Sequence, residues 1–148
     1  MANKNLSTIY TLCRTIGQAF DIFPKAFPTI DKVSISTVNL PKEDWVGYGG
    51  KGAKNKPFVI INLAHAKNLS EIIATMAHEM LHIKQVICDK SGANHGNAFR
   101  HDCAILARAL GITFYHLNGY DKPSIQTVKA QCKKKIAAIR KHHKEKTK

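Results

Sequence analysis

Thr75-Met76-Ala77-His78-Glu79-Met80-Leu81-His82-Ile83 is the stretch that decides how this chain is read. It holds the pattern H-E-x-x-H, and on a helix the four-residue spacing stacks His78 and His82 one turn apart, where both imidazoles can hold a single Zn2+. Glu79 comes one residue after the first histidine. Its carboxylate therefore leaves the flank of the helix, placed to act on water beside the ion instead of joining the ligands. With eight histidines and four glutamates in 148 residues, random order would produce such a pentad in roughly one chain in a hundred. The competing reading, a helix with two surface histidines and a solvated glutamate, needs that coincidence. The pentad points to a metal hydrolase.

The surrounding residues support the helix. Leu69, Ile73, Met76, Met80, Ile83 and Ile87 recur at spacings of three and four, which predicts one apolar stripe facing a core. Asn68 followed by Glu71 offers a capping box at its start, with Ser70 as a rival cap. The histidines fall on the opposite side, so the helix is expected to bury one face and turn the other toward a cleft.

Two histidines do not complete a catalytic zinc site, which usually takes three protein ligands and leaves a fourth position to water. A metzincin would continue H-x-x-G-x-x-H, but Gln85 stands in place of the glycine and Cys88 in place of the last histidine. An acidic third ligand has few sources: Asp89, Asp102, Asp121 and Glu145 are the only acids after Glu79. His95, in Asn94-His95-Gly96-Asn97-Ala98-Phe99, is the better candidate. It lies at the entrance to a second helix, whose apolar positions are Ala98, Phe99, Cys103, Leu106 and Leu110 and whose natural stop is Gly111. Asp102 is the first candidate to accept a hydrogen bond from a ligand imidazole.

The pair H-E-M-L-H and, further on, H-G-N-A-F resembles the SprT-like domain, the zinc metallopeptidase family of SprT and Spartan-type proteins, the latter acting in DNA-protein crosslink repair. The resemblance covers roughly residues 4 to 115, including Gly47-Tyr48-Gly49-Gly50 and Ile60-Ile61-Asn62, which look like the family's strands before the catalytic helix. It implies that His78, His82 and His95 bind one Zn2+ and that Glu79 is the general base. It also implies an α+β, zincin-like single domain: an N-terminal helix, a small antiparallel or mixed sheet, the H-E-x-x-H helix and further C-terminal helices. Many members end in a four-cysteine zinc ribbon. Here Cys13, Cys88, Cys103 and Cys132 contain no C-x-x-C, so no ribbon can be built and DNA binding through it is not inherited.

Composition agrees with one small domain, expected over residues 1–122, with 44% hydrophobic residues to fill its core. The N-terminal residues show no long apolar run, so neither a signal peptide nor a membrane span is expected. Four unpatterned cysteines suit a reducing compartment, and a cytoplasmic, intracellular setting follows as the expectation. Each cysteine is read first as a small buried hydrophobe.

Upstream of the pentad, Leu6, Ile9, Cys13, Ile16, Phe20 and Phe23 predict an amphipathic helix ended by Pro24. Alternation in residues 33 to 38 predicts a half-buried strand, residues 45 to 48 a short aromatic one, and residues 58 to 62 a third. Gly47, Gly49, Gly50 and Gly52 with Lys51, Lys54 and Lys56 lack the P-loop pattern and read as a mobile hairpin loop. A zincin binds extended peptide along a sheet edge, so residues 58 to 62 or their hairpin partner are candidates to pair with substrate. His65 reads as a surface or hydrogen-bonded histidine. His101, Tyr115, His116 and Tyr120 are weak candidates to stabilise an oxyanion.

Charge is the other strong feature. The chain carries +13, and residues 129–148 alone hold nine bases and one acid. Ile125, Val128, Cys132, Ile136 and Ile139 give that segment an apolar edge, which predicts a docked basic helix over residues 124 to 140 within a C-terminal unit spanning 123–148. Lys129, Lys133, Lys134, Lys135, Arg140 and Lys141 would form its exposed side, suited to DNA or another polyanion without sequence readout. A solubilising tail is the bland alternative, and a membrane surface fits poorly because the edge lacks Trp and Phe.

Three functions are expected in order of support: a zinc metallopeptidase acting on proteins at or near DNA; a nucleic-acid-associated regulatory protein with a structural zinc closed by Cys88 or another group; and a zinc hydrolase of a non-peptide substrate.

Overall fold

Phe58-Val59-Ile60-Ile61 is an unbroken apolar run, the pattern of a strand covered on both faces, and the architecture is built around it. The computed structural model describes residues 2–113 and residue 117. In chain order these residues form α1 (Ala2–Ala19), β1 (Ser34–Val38), β2 (Gly47–Lys51), β3 (Pro57–Asn62), α2 (Leu69–Ile83) and α3 (Asn97–Leu110). Short 3-10 turns cover Ile30–Lys32 and Ala53–Asn55, and a π-helical turn, Lys84–Cys88, continues α2. Three helices and a small mixed three-stranded sheet make an α+β fold.

The sheet order is β1-β3-β2, with β3 parallel to β1 and antiparallel to β2. Every residue of β3 is buried, and its side chains sort by the two-residue period of a strand. Val59 and Ile61 enter the main core with Tyr10, Phe27, Met76, Met80 and Leu106. Phe58 and Ile60 turn the other way, onto Trp45, with Val38 and Tyr48 packed beside them. Because β3 is paired on both sides, it cannot accept an extended peptide; of the two strands named for that role, only its hairpin partner β2 lies at an edge among the described residues.

Asn62 closes the end of β3. Fully buried, it accepts hydrogen bonds from the backbone N–H groups of Leu40 (3.0 Å) and Ala64 (3.2 Å) and donates to the carbonyls of Leu40 (3.1 Å) and Trp45 (3.0 Å). These four bonds satisfy its amide and fasten the β1–β2 connection to the strand that leads into α2. His65 in that lead-in contacts the Glu43 carbonyl.

Several expected boundaries move. Helix α1 stops at Ala19, before Pro24: Asp21 takes a left-handed conformation (φ 59°), and the N–H groups of Ile22 and Phe23 return to the Gly17 carbonyl. Phe20 is therefore turned out, 54% exposed, while Tyr10, outside the expected stripe, is fully buried. Gly47, Gly49 and Gly50, read locally as part of a mobile loop but as strand by the resemblance, form β2, and Gly52 lies in a turn confined to residues 52–56. Their reason is packing: Gly47 and Gly49 share the face of β2 that meets α2, and a Cβ on Gly49 would lie 2.6 Å from Glu79 Cβ and 2.9 Å from the Glu79 carbonyl oxygen. Only a strand face without side chains lets the helix come this close. Leu69, assigned to the apolar stripe, is 64% exposed in the first turn.

Gly111 ends α3 in the left-handed region (φ 71°), as the sequence suggests. Cys13 and Cys103 are buried in the core and Cys88 is half-buried. No described helix is long and apolar enough to cross a membrane. The helix expected over residues 124 to 140, Cys132, and the division at residue 122 lie outside the described residues.

Candidate metal centre

Helix α2 starts where its cap predicts. The Asn68 side chain accepts from the Glu71 N–H (2.9 Å), and the Glu71 carboxylate returns to the Lys67 N–H (2.9 Å) and the Asn68 amide (3.0 Å). From residue 74 to residue 83 the helix is buried on all sides. The histidine face expected to open on a cleft is thus covered: His78, Glu79 and His82 are 1%, 1% and 6% exposed. Strand β2 covers the Glu79 flank, and Phe99 of α3 and Leu117 cover the histidines.

The two buried imidazoles have fixed tautomers. His78 Nδ1 lies 2.5 Å from the Leu117 carbonyl, which can only accept, so Nδ1 carries the proton and Nε2 the lone pair. His82 Nδ1 is 2.9 Å from Gln85 Oε1. The Gln85 amide is oriented by its other end, where Nε2 donates to the Asn94 carbonyl at 3.0 Å, so Oε1 is the acceptor, His82 Nδ1 carries the proton, and His82 Nε2 carries the lone pair.

His95 comes from an exposed stretch between the π-helical turn and α3. Its Nε2 reaches 3.1 Å from His82 Nε2 and 3.3 Å from His78 Nε2. The three residues predicted from sequence as ligands are therefore brought together, with one donor atom from each within 4.8 Å of the others. A proton on His95 Nε2 could satisfy one of these contacts; a cation among the three nitrogens satisfies all. Zinc–nitrogen bonds of about 2.0–2.1 Å at the tetrahedral angle hold donor atoms roughly 3.3–3.4 Å apart, close to the separations found. The residues fit one metal ion. Among the described residues, no cysteine or carboxylate joins the three.

Phe99 fixes the ring planes. It lies 4.7 Å from His82 in a stacked arrangement and 5.0 Å, edge to face, from both His78 and His95. Four residues after His95 on the first turn of α3, and 3% exposed, it is an apolar floor for all three imidazoles. In the sequence it stood as a position in an apolar stripe and as the last residue of H-G-N-A-F, with no role at the site assigned to it.

Glu79 sits beside the site on its own flank of α2. A Cβ on Gly47 would come 3.0 Å from Glu79 Oε2 and 2.5 Å from Thr75 Cγ2, so the missing side chain makes room for the carboxylate. Asp102, expected to accept from a ligand imidazole, is instead bonded to Lys84 Nζ at 2.8 Å. Cys88 also has no place among the ligands, and burial first, then Asp89, pushes its thiol pKa up, favouring the neutral form. His101 is exposed on α3; Tyr115, His116 and Tyr120 lie outside the described residues, as do Lys129, Lys133, Lys134, Lys135, Arg140 and Lys141. Sequence reading missed Gln85 and the Leu117 carbonyl as partners of the ligands, although Gln85 stands three residues after His82, on the same side of a helix.

No family model, curated protein or solved structure matches this chain.

Proposed function

We propose that this protein is a zinc-dependent metallopeptidase of the zincin, SprT-like kind, hydrolysing peptide bonds in proteins at or near DNA. The observation that carries the reading is the convergence of the His78, His82 and His95 Nε2 atoms beside Glu79, with no fourth protein ligand among the described residues. A structural zinc closed by Cys88 loses support from the same geometry.

When bound, zinc supplies a Lewis acid that acidifies water and polarises a carbonyl. The three imidazoles, neutral as ligands, would hold it without cancelling its charge. Glu79 takes the proton from the attacking water on a carboxylate oxygen and passes it to the leaving amine. Burial of Glu79, with its carboxylate against Gly47 and its backbone against Gly49, keeps its position fixed and restricts bulk water around it. Edge strand β2, directly against Glu79, is the strand we assign to pairing with an extended substrate, which favours loose side-chain selectivity. The basic segment at residues 129–148 holds the enzyme near polyanions.

The test is digestion of DNA-bound proteins by wild type and Glu79→Gln, with and without DNA and over a salt series. Glu79→Gln is expected to retain zinc and lose about 10²–10⁴-fold in hydrolysis. DNA stimulation that fades with salt is expected from the basic segment. Zinc retained in both proteins with no difference in cleavage would refute the peptidase assignment.

A further inference from the structure

We infer that Gln85 is a positioning residue for the metal centre, binding together the two parts of the chain that supply its ligands. The inference rests on the three-histidine site above but not on the reaction performed there.

Residues 89–98 are all exposed, so no buried side chain of their own holds His95 against α2. Gln85, only 8% exposed, supplies the hold. Its Oε1 accepts from His82 Nδ1 at 2.9 Å and from the Asn94 N–H at 3.2 Å, while its Nε2 donates to the Asn94 carbonyl at 3.0 Å. The side-chain amide thus pairs with both backbone groups of the residue preceding His95. Its own carbonyl accepts from the Ser91 N–H (2.8 Å) and the Ser91 hydroxyl (3.2 Å). One residue therefore fixes the tautomer of one ligand and the approach of another.

The π-helical turn contributes to this placement. The Asp89 N–H returns to the Lys84 carbonyl at 2.9 Å, a five-residue closure instead of four. The Gln85 carbonyl is consequently not consumed by a normal α-helical bond from Asp89 and is open to Ser91. Asn94 then uses its side chain locally, accepting from the Gly96 N–H (2.9 Å) and donating to the Gly92 carbonyl (3.1 Å), which shapes the turn into α3. Hydrogen-bond partners of metal-binding histidines orient the ring, and losing one costs about 10–100-fold in metal affinity. Here the same loss also releases the chain that carries His95.

Zinc affinity of the full chain, measured by chelator competition, tests this without reference to hydrolysis. Gln85→Leu, which keeps bulk and removes all three side-chain bonds, is expected to bind zinc about 10–100-fold more weakly. Gln85→Glu keeps the acceptor for His82 and for the Asn94 N–H and is expected to recover most of that loss. An unchanged affinity in a folded Gln85→Leu protein would overturn the inference, as would a glutamate variant no better than leucine. Should the leucine variant not fold, the wild type still decides: long-range 1H–15N spectra with zinc bound are expected to show His82 protonated at Nδ1 and coordinated through Nε2, and the reverse assignment overturns the proposal. Tight zinc binding without peptide cleavage would count against the peptidase and leave Gln85 standing. Failure of wild type to bind zinc defeats both.

Discussion

Gly49 shows how much one absent side chain contributes to this site. An added Cβ would lie 2.6 Å from Glu79 Cβ, 2.9 Å from its carbonyl oxygen and 3.1 Å from its Cα, and the last two belong to the helix backbone, which cannot rotate away. Gly49→Ala must push β2 and α2 apart, at a cost of about 1–3 kcal/mol, and, under the proposed peptidase function, should lower hydrolysis more than zinc affinity because the added Cβ presses on Glu79 itself. The adjacent Gly50 is the control. It faces the other side of the sheet, and a Cβ there would meet only Phe58 Cε1 at 3.9 Å, an ordinary contact. Gly50→Ala should shift stability by no more than about 0.5 kcal/mol. Urea midpoints of the two variants compare them directly; equal destabilisation would show that the strand requires glycine for its backbone conformation and not for helix approach.

At the scale of elements, α2 can be separated into a cap that sets stability and a buried half that carries two of the three clustered histidines. Asn68→Ala removes the bond to the Glu71 N–H in an exposed first turn distant from the histidines along the helix. A loss of about 1 kcal/mol in unfolding free energy is expected, with zinc stoichiometry unchanged, and Asn68→Asp should restore most of it. Loss of zinc in the alanine variant would mean that the cap and the metal site are coupled. This helix also marks how far the sequence could be read. Asn68 and Glu71 announce its start, the pentad announces two ligands, and H-G-N-A-F supplies the third, because each is a local pattern with a fixed spacing. Burial of the histidine face, the bonding of Asp102 to Lys84 and the π-helical turn depend on β2, α3 and residue 117 arriving from elsewhere, and periodicity along one helix carries no information about them. The local reading of the β2 glycines as a loop fails for the same reason: glycine promotes turns locally, while here it answers to a helix some thirty positions later.

For the molecule as a whole, the seam between α1 and the remaining core should govern behaviour at high pH. Tyr10 and Cys13 are fully buried there. Burial raises the Tyr10 phenol pKa, whose hydroxyl donates to the Pro28 carbonyl at 2.7 Å, and it pushes the Cys13 thiol from 9.0 up to about 12. Both groups are neutral when protonated, and both hold the proton more tightly in the folded chain. Their stabilising effect is therefore complete below the unfolded pKa values and is lost as pH rises toward the folded ones. For Cys13 that window runs from about 9 to about 12, and each proton bound only by the folded state steepens the loss by about 1.4 kcal/mol per pH unit. Urea unfolding between pH 8 and pH 11, followed by tyrosine-independent far-UV circular dichroism, should show wild-type stability falling above roughly pH 9. Cys13→Ala should start lower because of the cavity it leaves, yet fall less steeply across the same range. Tyr10→Phe keeps the ring against Phe27, whose centroid is 6.3 Å away, and should flatten the curve only at its most alkaline end, since the free phenol titrates later than the thiol. Parallel curves for wild type and Cys13→Ala would show that the thiol is not the group whose proton holds α1 in place.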